Sequence, residues 1–165
     1  MSKQLPGSED RKHKTLVIGL GSDVLGDDAF GLIVAQKLLD KGLDCLADIR
    51  LSCESGMKLL DHLLDYEKVI IVDSYLDPKG EAGKILTLPV EEDKTCAPCI
   101  HFFSIGQALA LGRHLGLRVP SEVKAFAVVI NEIKLSDEGL SPNVDKAVGA
   151  ILGLVEEELR CTNSP

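Results

Sequence analysis

Leu16-Val-Ile-Gly-Leu-Gly-Ser-Asp-Val-Leu-Gly-Asp-Asp-Ala-Phe-Gly31 is the stretch on which the fold of this chain turns. Residues 15–20 form an apolar run ending at a glycine-rich turn, the pattern of a short strand buried on both faces. Across residues 28–39 the apolar side chains Phe30, Ile33, Val34, Leu38 and Leu39 recur at helical spacing, and Gly42 supplies a stop. Strand, glycine turn and helix together open like a nucleotide-binding unit. The turn itself argues otherwise. Gly19 and Gly21 match Gly-x-Gly-x-x-Gly, but the third position is Val24 and Gly26 comes two residues late. Phosphate also needs unopposed N–H groups at a helix start, and Asp27 and Asp28 put negative charge there. The Lys-Ser/Thr pair of a P-loop is missing too. Capping of the helix accounts for either aspartate taken alone; two in succession leave one to explain.

Outward from this stretch the alternation continues. Residues 48–53 read as a second strand and 55–65 as an amphipathic helix capped by Ser55. Lys68-Val-Ile-Ile-Val-Asp73 is the clearest buried strand in the chain. Asp77-Pro78-Lys79-Gly80 reads as a turn, and 83–90 as a short edge strand closed by Pro89. A polar loop spans 91–100, followed by a helix over 103–115 and a fifth strand over 123–130. A loop over 131–141 leads to a closing helix over 142–159, with Ser141 as N-cap and Pro142 in its first turn. The order β-α-β-α-β-β-α-β-α predicts an α/β fold with an open, mostly parallel sheet covered by helices on both faces. The expected edge strand is antiparallel, and short crossovers place the third strand beside the first.

At 165 residues the chain is expected to be one domain over 15–160, with a flexible arm over 1–14 and a flexible tail over 161–165. A net charge of −8 argues against nucleic acid or an anionic membrane, which both call for a basic surface. It suits a soluble protein that meets cations or a basic patch on another protein. The polar N-terminus is unlike a signal peptide, and no apolar run approaches the ~20 residues that span a bilayer. The five cysteines, Cys45, Cys53, Cys96, Cys99 and Cys161, form no dense disulfide framework. Reduced thiols and a cytoplasmic location are the expectation.

Asp28 lies just past the first strand and Asp73 ends the third. In open α/β sheets ligands sit beyond the carboxyl ends of strands, where the strand order reverses. Neighbouring strands would therefore bring both carboxylates into one crevice. Such a pair can share a proton, as in acid hydrolysis, or bind a divalent metal. His101, in the loop before a helix, favours metal, because two carboxylates and an imidazole leave coordination positions open. Cys96-Ala-Pro-Cys99 is a competing signal, since Cys-x-x-Cys serves redox or zinc sites. Its polar approach, Glu91-Glu92-Asp93-Lys94, is unlike a redox helix start, and Cys96, Cys99 and His101 make only three of four zinc ligands.

These residues carry a resemblance. Gly19 to Gly31 resembles the opening motif of the hydrogenase maturation endopeptidases, which typically reads Gly-x-Gly-Asn, then Leu, then Asp-Asp/Glu-x-x-Gly. Glu54-Ser-Gly-Met-Lys-Leu-Leu60 is similar to their second segment, and Val69-Ile-Ile-Val-Asp73 to their third strand. His101 and Gly139-Leu-Ser-Pro142 also fall where the family has counterparts, so the likeness covers about residues 15–160. Ser22 stands in place of the usual Asn, and the Cys96/Cys99 pair has no counterpart carried over.

The resemblance implies a three-layer α/β/α sandwich with a five-stranded sheet. It implies a peptidase that removes the C-terminal extension of a nickel–iron hydrogenase large-subunit precursor after nickel insertion. The family's metal-contacting positions map to Asp28, Asp73 and His101, and the nickel is the one carried by the substrate. With Asp28 and Asp73, Asp27 is the further catalytic candidate, as general base or as a supporting hydrogen-bond acceptor. The implied partner is the precursor, met by a monomer or weak dimer. The other readings are a non-enzymatic metal-binding or assembly module on the same fold, and a thiol-redox protein using Cys96 and Cys99.

Overall fold

The computed structural model describes residues 13–55, 57–89, 103–136 and 138–162. The expected arm and tail lie for the most part outside the described residues. The elements run β1 (Thr15–Leu20), α1 (Phe30–Asp40), β2 (Asp48–Ser52), α2 (Met57–Leu63), β3 (Lys68–Leu76), β4 (Ile85–Pro89), α3 (Phe103–His114), β5 (Glu122–Ile130) and α4 (Pro142–Thr162). They build one five-stranded sheet in the order β2-β1-β3-β5-β4. The pairs β2–β1, β1–β3 and β3–β5 are parallel, and β4 lies antiparallel along β5 at the edge. The mostly parallel sheet, the antiparallel edge and the placement of the third strand beside the first are as expected.

The pleat explains the layers. Successive side chains of a strand point to opposite faces. Val17, Ile70, Val72 and Val128 face one layer and pack with Phe30 and Val34 of α1 and with Val144, Ile151 and Val155 of α4. Leu16, Ile18, Val69 and Ile71 face the other and pack with Leu59 and Leu63 of α2 and with Ile105 and Leu109 of α3. Because both faces are covered, β1 and the first half of β3 are apolar without alternation. Full burial of each such side chain stabilises the fold by roughly 1.5–3 kcal/mol.

Two glycines set how closely α1 meets the sheet. A Cβ on Gly19 would stand 2.0 Å from the Gly31 carbonyl oxygen. One on Gly31 would stand 2.2 Å from the Leu20 oxygen and 2.3 Å from the Val72 oxygen. The first turn of α1 thus rests on the bare backbone of β1 and β3, at the carboxyl edge of the sheet.

Several boundaries differ from the sequence reading, among them a second helix that ends at Leu63 and an edge strand that begins at Ile85. Residues Gly26–Ala29 form a 3-10 turn and α1 proper begins at Phe30, because the approach to the sheet tightens the chain there. The third strand does not end at Asp73: Ser74, Tyr75 and Leu76 continue it by pairing with Val128, Val129 and Ile130. The last helix extends past residue 159 to Thr162, whose hydroxyl donates to the Glu158 carbonyl.

Candidate active site

The chain leaves β1 toward β2 on one side and returns through β3 on the other. This reversal opens a crevice at the carboxyl ends of β1 and β3, the usual ligand position in open α/β sheets. The 22–28 loop lies over it. Ser22 N–H donates to the Asp28 carbonyl at 3.2 Å, Leu25 N–H to the Ser22 carbonyl, and Asp28 N–H to the Leu25 carbonyl. Three of the loop's N–H groups are thus spent on its own carbonyls. Gly21 permits this closure: its φ is +153°, and a Cβ there would stand 2.0 Å from the Asp28 carbonyl oxygen. Ser22 holds the turn through its main chain.

Neither aspartate of the pair caps its own helix. Asp28 is buried, 2% exposed, and its Oδ1 accepts a hydrogen bond from the Ser74 hydroxyl at 2.6 Å. Asp73 is wholly buried, and its Oδ1 accepts from the Ser74 backbone N–H at 2.7 Å. The two carboxylates read from separate segments of sequence are therefore joined through one residue. Asp27 turns the other way. Its Oδ1 accepts from Ser141 N–H at 2.6 Å and its Oδ2 from the Ser141 hydroxyl at 2.8 Å. Ser141 precedes α4, and its carbonyl accepts from Asp145 N–H as an N-cap carbonyl does. Its hydroxyl, expected to cap α4, instead ties that helix to the acidic turn.

Asp27 borders an open cleft of about 560 Å³ shared with Asn131, Lys134, Ser141 and Asn143. On the other side of the turn, Ala29, Leu32, Ile33 and Leu51 line a more apolar groove of about 390 Å³. Gly26 belongs to both. Its φ of +51° would strain any other residue, whose Cβ would also press on the Ser136 Cβ at 3.2 Å. Asn131 secures the same edge by donating to the carbonyls of Asp77 and Gly80.

His101, Cys96 and Cys99 lie outside the described residues. Among the described residues no group of three His, Cys, Asp or Glu side chains is placed to hold a metal ion. His13 bonds the Asp44 carbonyl and His62 the Glu54 carboxylate. Cys45, Cys53 and Cys161 are exposed free thiols. Sequence reading missed Ser74 and the pairing of Ser141 with Asp27. Ser74 could have been found: it directly follows the candidate aspartate, and it is a polar residue in an otherwise buried strand.

A doubly covered α/β sheet with buried aspartates at its switch point defines the class. No protein-family model matches the chain. A Methanocaldococcus jannaschii protein provisionally named as a hydrogenase maturation protease is 29% identical over 155 residues, covering 89% of this chain and 99% of its own. The hydrogenase maturation protease HybD of Thermococcus kodakarensis superposes with a TM-score of 0.68 at 26% identity, over 89% of this chain and 99% of that one. The Escherichia coli endopeptidase HybD has the same fold, with a TM-score of 0.72 at 22% identity over 92% and 94% of the two chains. The chain is thus similar in sequence to proteins named as hydrogenase maturation proteases and shares the fold of solved ones, in line with the resemblance carried by its motifs.

Proposed function

We propose that this protein is a cytoplasmic endopeptidase that cuts the C-terminal extension from a nickel–iron hydrogenase large-subunit precursor once nickel has been inserted. The observation that carries the reading is the sharing of Ser74 by two buried aspartates, Asp28 and Asp73, at the switch point of this fold. The likeness to hydrogenase maturation proteases supports it.

In this mechanism the nickel belongs to the substrate. Asp28, Asp73 and His101 engage it when the precursor docks. Hard carboxylate oxygens with one imidazole suit a borderline divalent ion. The ion polarises the scissile carbonyl or lowers the pKa of the attacking water. The protease carries only part of a coordination shell, so it is inert toward a precursor without nickel, and cleavage becomes a checkpoint on assembly. The clefts on either side of the Gly26–Ala29 turn give an extended polypeptide room to approach. Asp27 supports the turn through its hydrogen bonds with Ser141.

The test is an intact-mass assay of purified protein with nickel-loaded and nickel-free precursor from the same cell. The expected result is loss of a C-terminal peptide from the loaded form alone, abolished by Asp28→Ala and by Asp73→Ala. Cleavage of neither form would favour a non-enzymatic metal-binding module instead.

A further inference from the structure

Ser74 stands at an unusual place for a hydroxyl. It is wholly buried in the central sheet, paired across to Val128 of β5. The pleat puts it on the same face as Ile70 and Val72, which pack into the layer of α1 and α4. A β-branched apolar residue would suit such a position, and a buried hydroxyl costs free energy unless it is hydrogen-bonded. Its partner is Asp28 Oδ1, at 2.6 Å, across 46 residues of sequence. Asp73 leaves β3 on the opposite face, yet its Oδ1 is held at 2.7 Å by the backbone N–H of the same Ser74. One residue thus fixes an oxygen of each carboxylate, one through its side chain and one through its main chain. Among the described residues Asp28 Oδ2 has no hydrogen bond, so Ser74 secures one oxygen of that carboxylate and leaves the other to a ligand.

We infer that Ser74 is a positioning residue of the site, acting through Asp28: its hydroxyl fixes the rotamer in which Asp28 presents Oδ2 to the metal borne by the precursor. The inference rests on the function proposed above and deepens it. Loss of a hydrogen-bonding partner behind a metal ligand typically lowers metal affinity or activity by about 10–100-fold. The backbone half of the arrangement survives any substitution at 74, so the side chain can be tested by itself.

The experiment compares Ser74→Ala, Ser74→Thr and Asp28→Ala with the wild-type chain. Each is checked for folding by circular dichroism, then measured for processing rate and for binding to nickel-loaded and nickel-free precursor. Ser74→Ala is expected to fold and to process about 10–100-fold more slowly. Its binding should weaken toward the loaded precursor only. Ser74→Thr, which keeps the hydroxyl, should recover most of the rate; if its extra methyl prevents folding, Ser74→Cys, close in size with a weaker donor, should fall between Ser and Ala. Equal weakening toward both precursors by Ser74→Ala would show a merely structural role and overturn the inference. So would full-rate processing by Ser74→Ala while Asp28→Ala is inactive. Wild-type processing by Asp28→Ala would instead overturn the functional reading itself.

Discussion

At the scale of single residues, the acidic pair Asp27-Asp28 divides its labour between two distant serines. Asp28 is held from β3 by Ser74, and Asp27 from the start of α4 by Ser141. This division separates the two in a mutational test. Asp28→Ala and Asp73→Ala should abolish precursor processing while leaving the circular dichroism spectrum intact. Asp27→Asn should stay active, because its amide oxygen can still accept from Ser141 N–H while its NH₂ donates to the Ser141 oxygen. Processing kinetics decide the matter: an inactive but folded Asp27→Asn would make Asp27 the general base. Ser141→Ala removes one hydrogen bond to a charged group and should lower the unfolding free energy by about 1.5–3 kcal/mol, read from denaturant titration.

At the scale of elements, the contact that matters is that of the first turn of α1 with β1 and β3. Gly31 lets the helix come within van der Waals reach of backbone oxygens on both strands. Those oxygens belong to rigid central strands and cannot move aside. Gly31→Ala should therefore destabilise the protein by about 1–3 kcal/mol, as overpacking does, and more if the helix shifts. The shift would carry Asp28 away from Ser74, so processing should fall along with the denaturation midpoint. The elements themselves were largely legible. The Val69–Val72 run, the apolar stripe of α1 and the Pro142 start were read directly from spacing. The 3-10 turn and the extension of β3 through Leu76 were not, because they depend on pairing with β5 and on the close approach of α1, which are contacts between segments far apart in sequence.

At the scale of the whole molecule, the site occupies the carboxyl edge of the sheet and an ion cluster closes the amino edge. Glu158 of α4 accepts from Lys68 at the start of β3 and from Lys124 near the start of β5, and Lys68 also pairs with Glu122. Burial opposes the charge on Glu158, but the hydrogen bonds from Lys124 and Lys68 outweigh it and hold the carboxyl below its ordinary value. Burial likewise works against Lys68, and its bonds to Glu158 and Glu122 carry its pKa above the usual value. The signs give a window. A depressed carboxylate stabilises the fold above its unfolded pKa of about 4.3 and loses that contribution as pH falls through the lower folded value. A raised lysine contributes fully below about 10.4 and loses its contribution as pH rises through the higher folded value. Glu158→Gln should thus cost most stability between those limits, and the gap from wild type should close at acid pH. Chemical denaturation at pH 3 and pH 7 checks this.

The sequence by itself determined the α/β alternation, the buried central strands, the unfitness of the glycine turn for phosphate, and the two strand-end aspartates as the residues to watch. These are local properties, set by periodicity, glycine spacing and charge within a few residues of one another. Only the tertiary structure decided that Asp28 and Asp73 meet at Ser74 and that Asp27 faces Ser141. Those pairings join residues 46 and 114 positions apart. No local pattern encodes them, because they follow from the strand order, the register of β1 on β3, and the depth to which two glycines let α1 settle on the sheet.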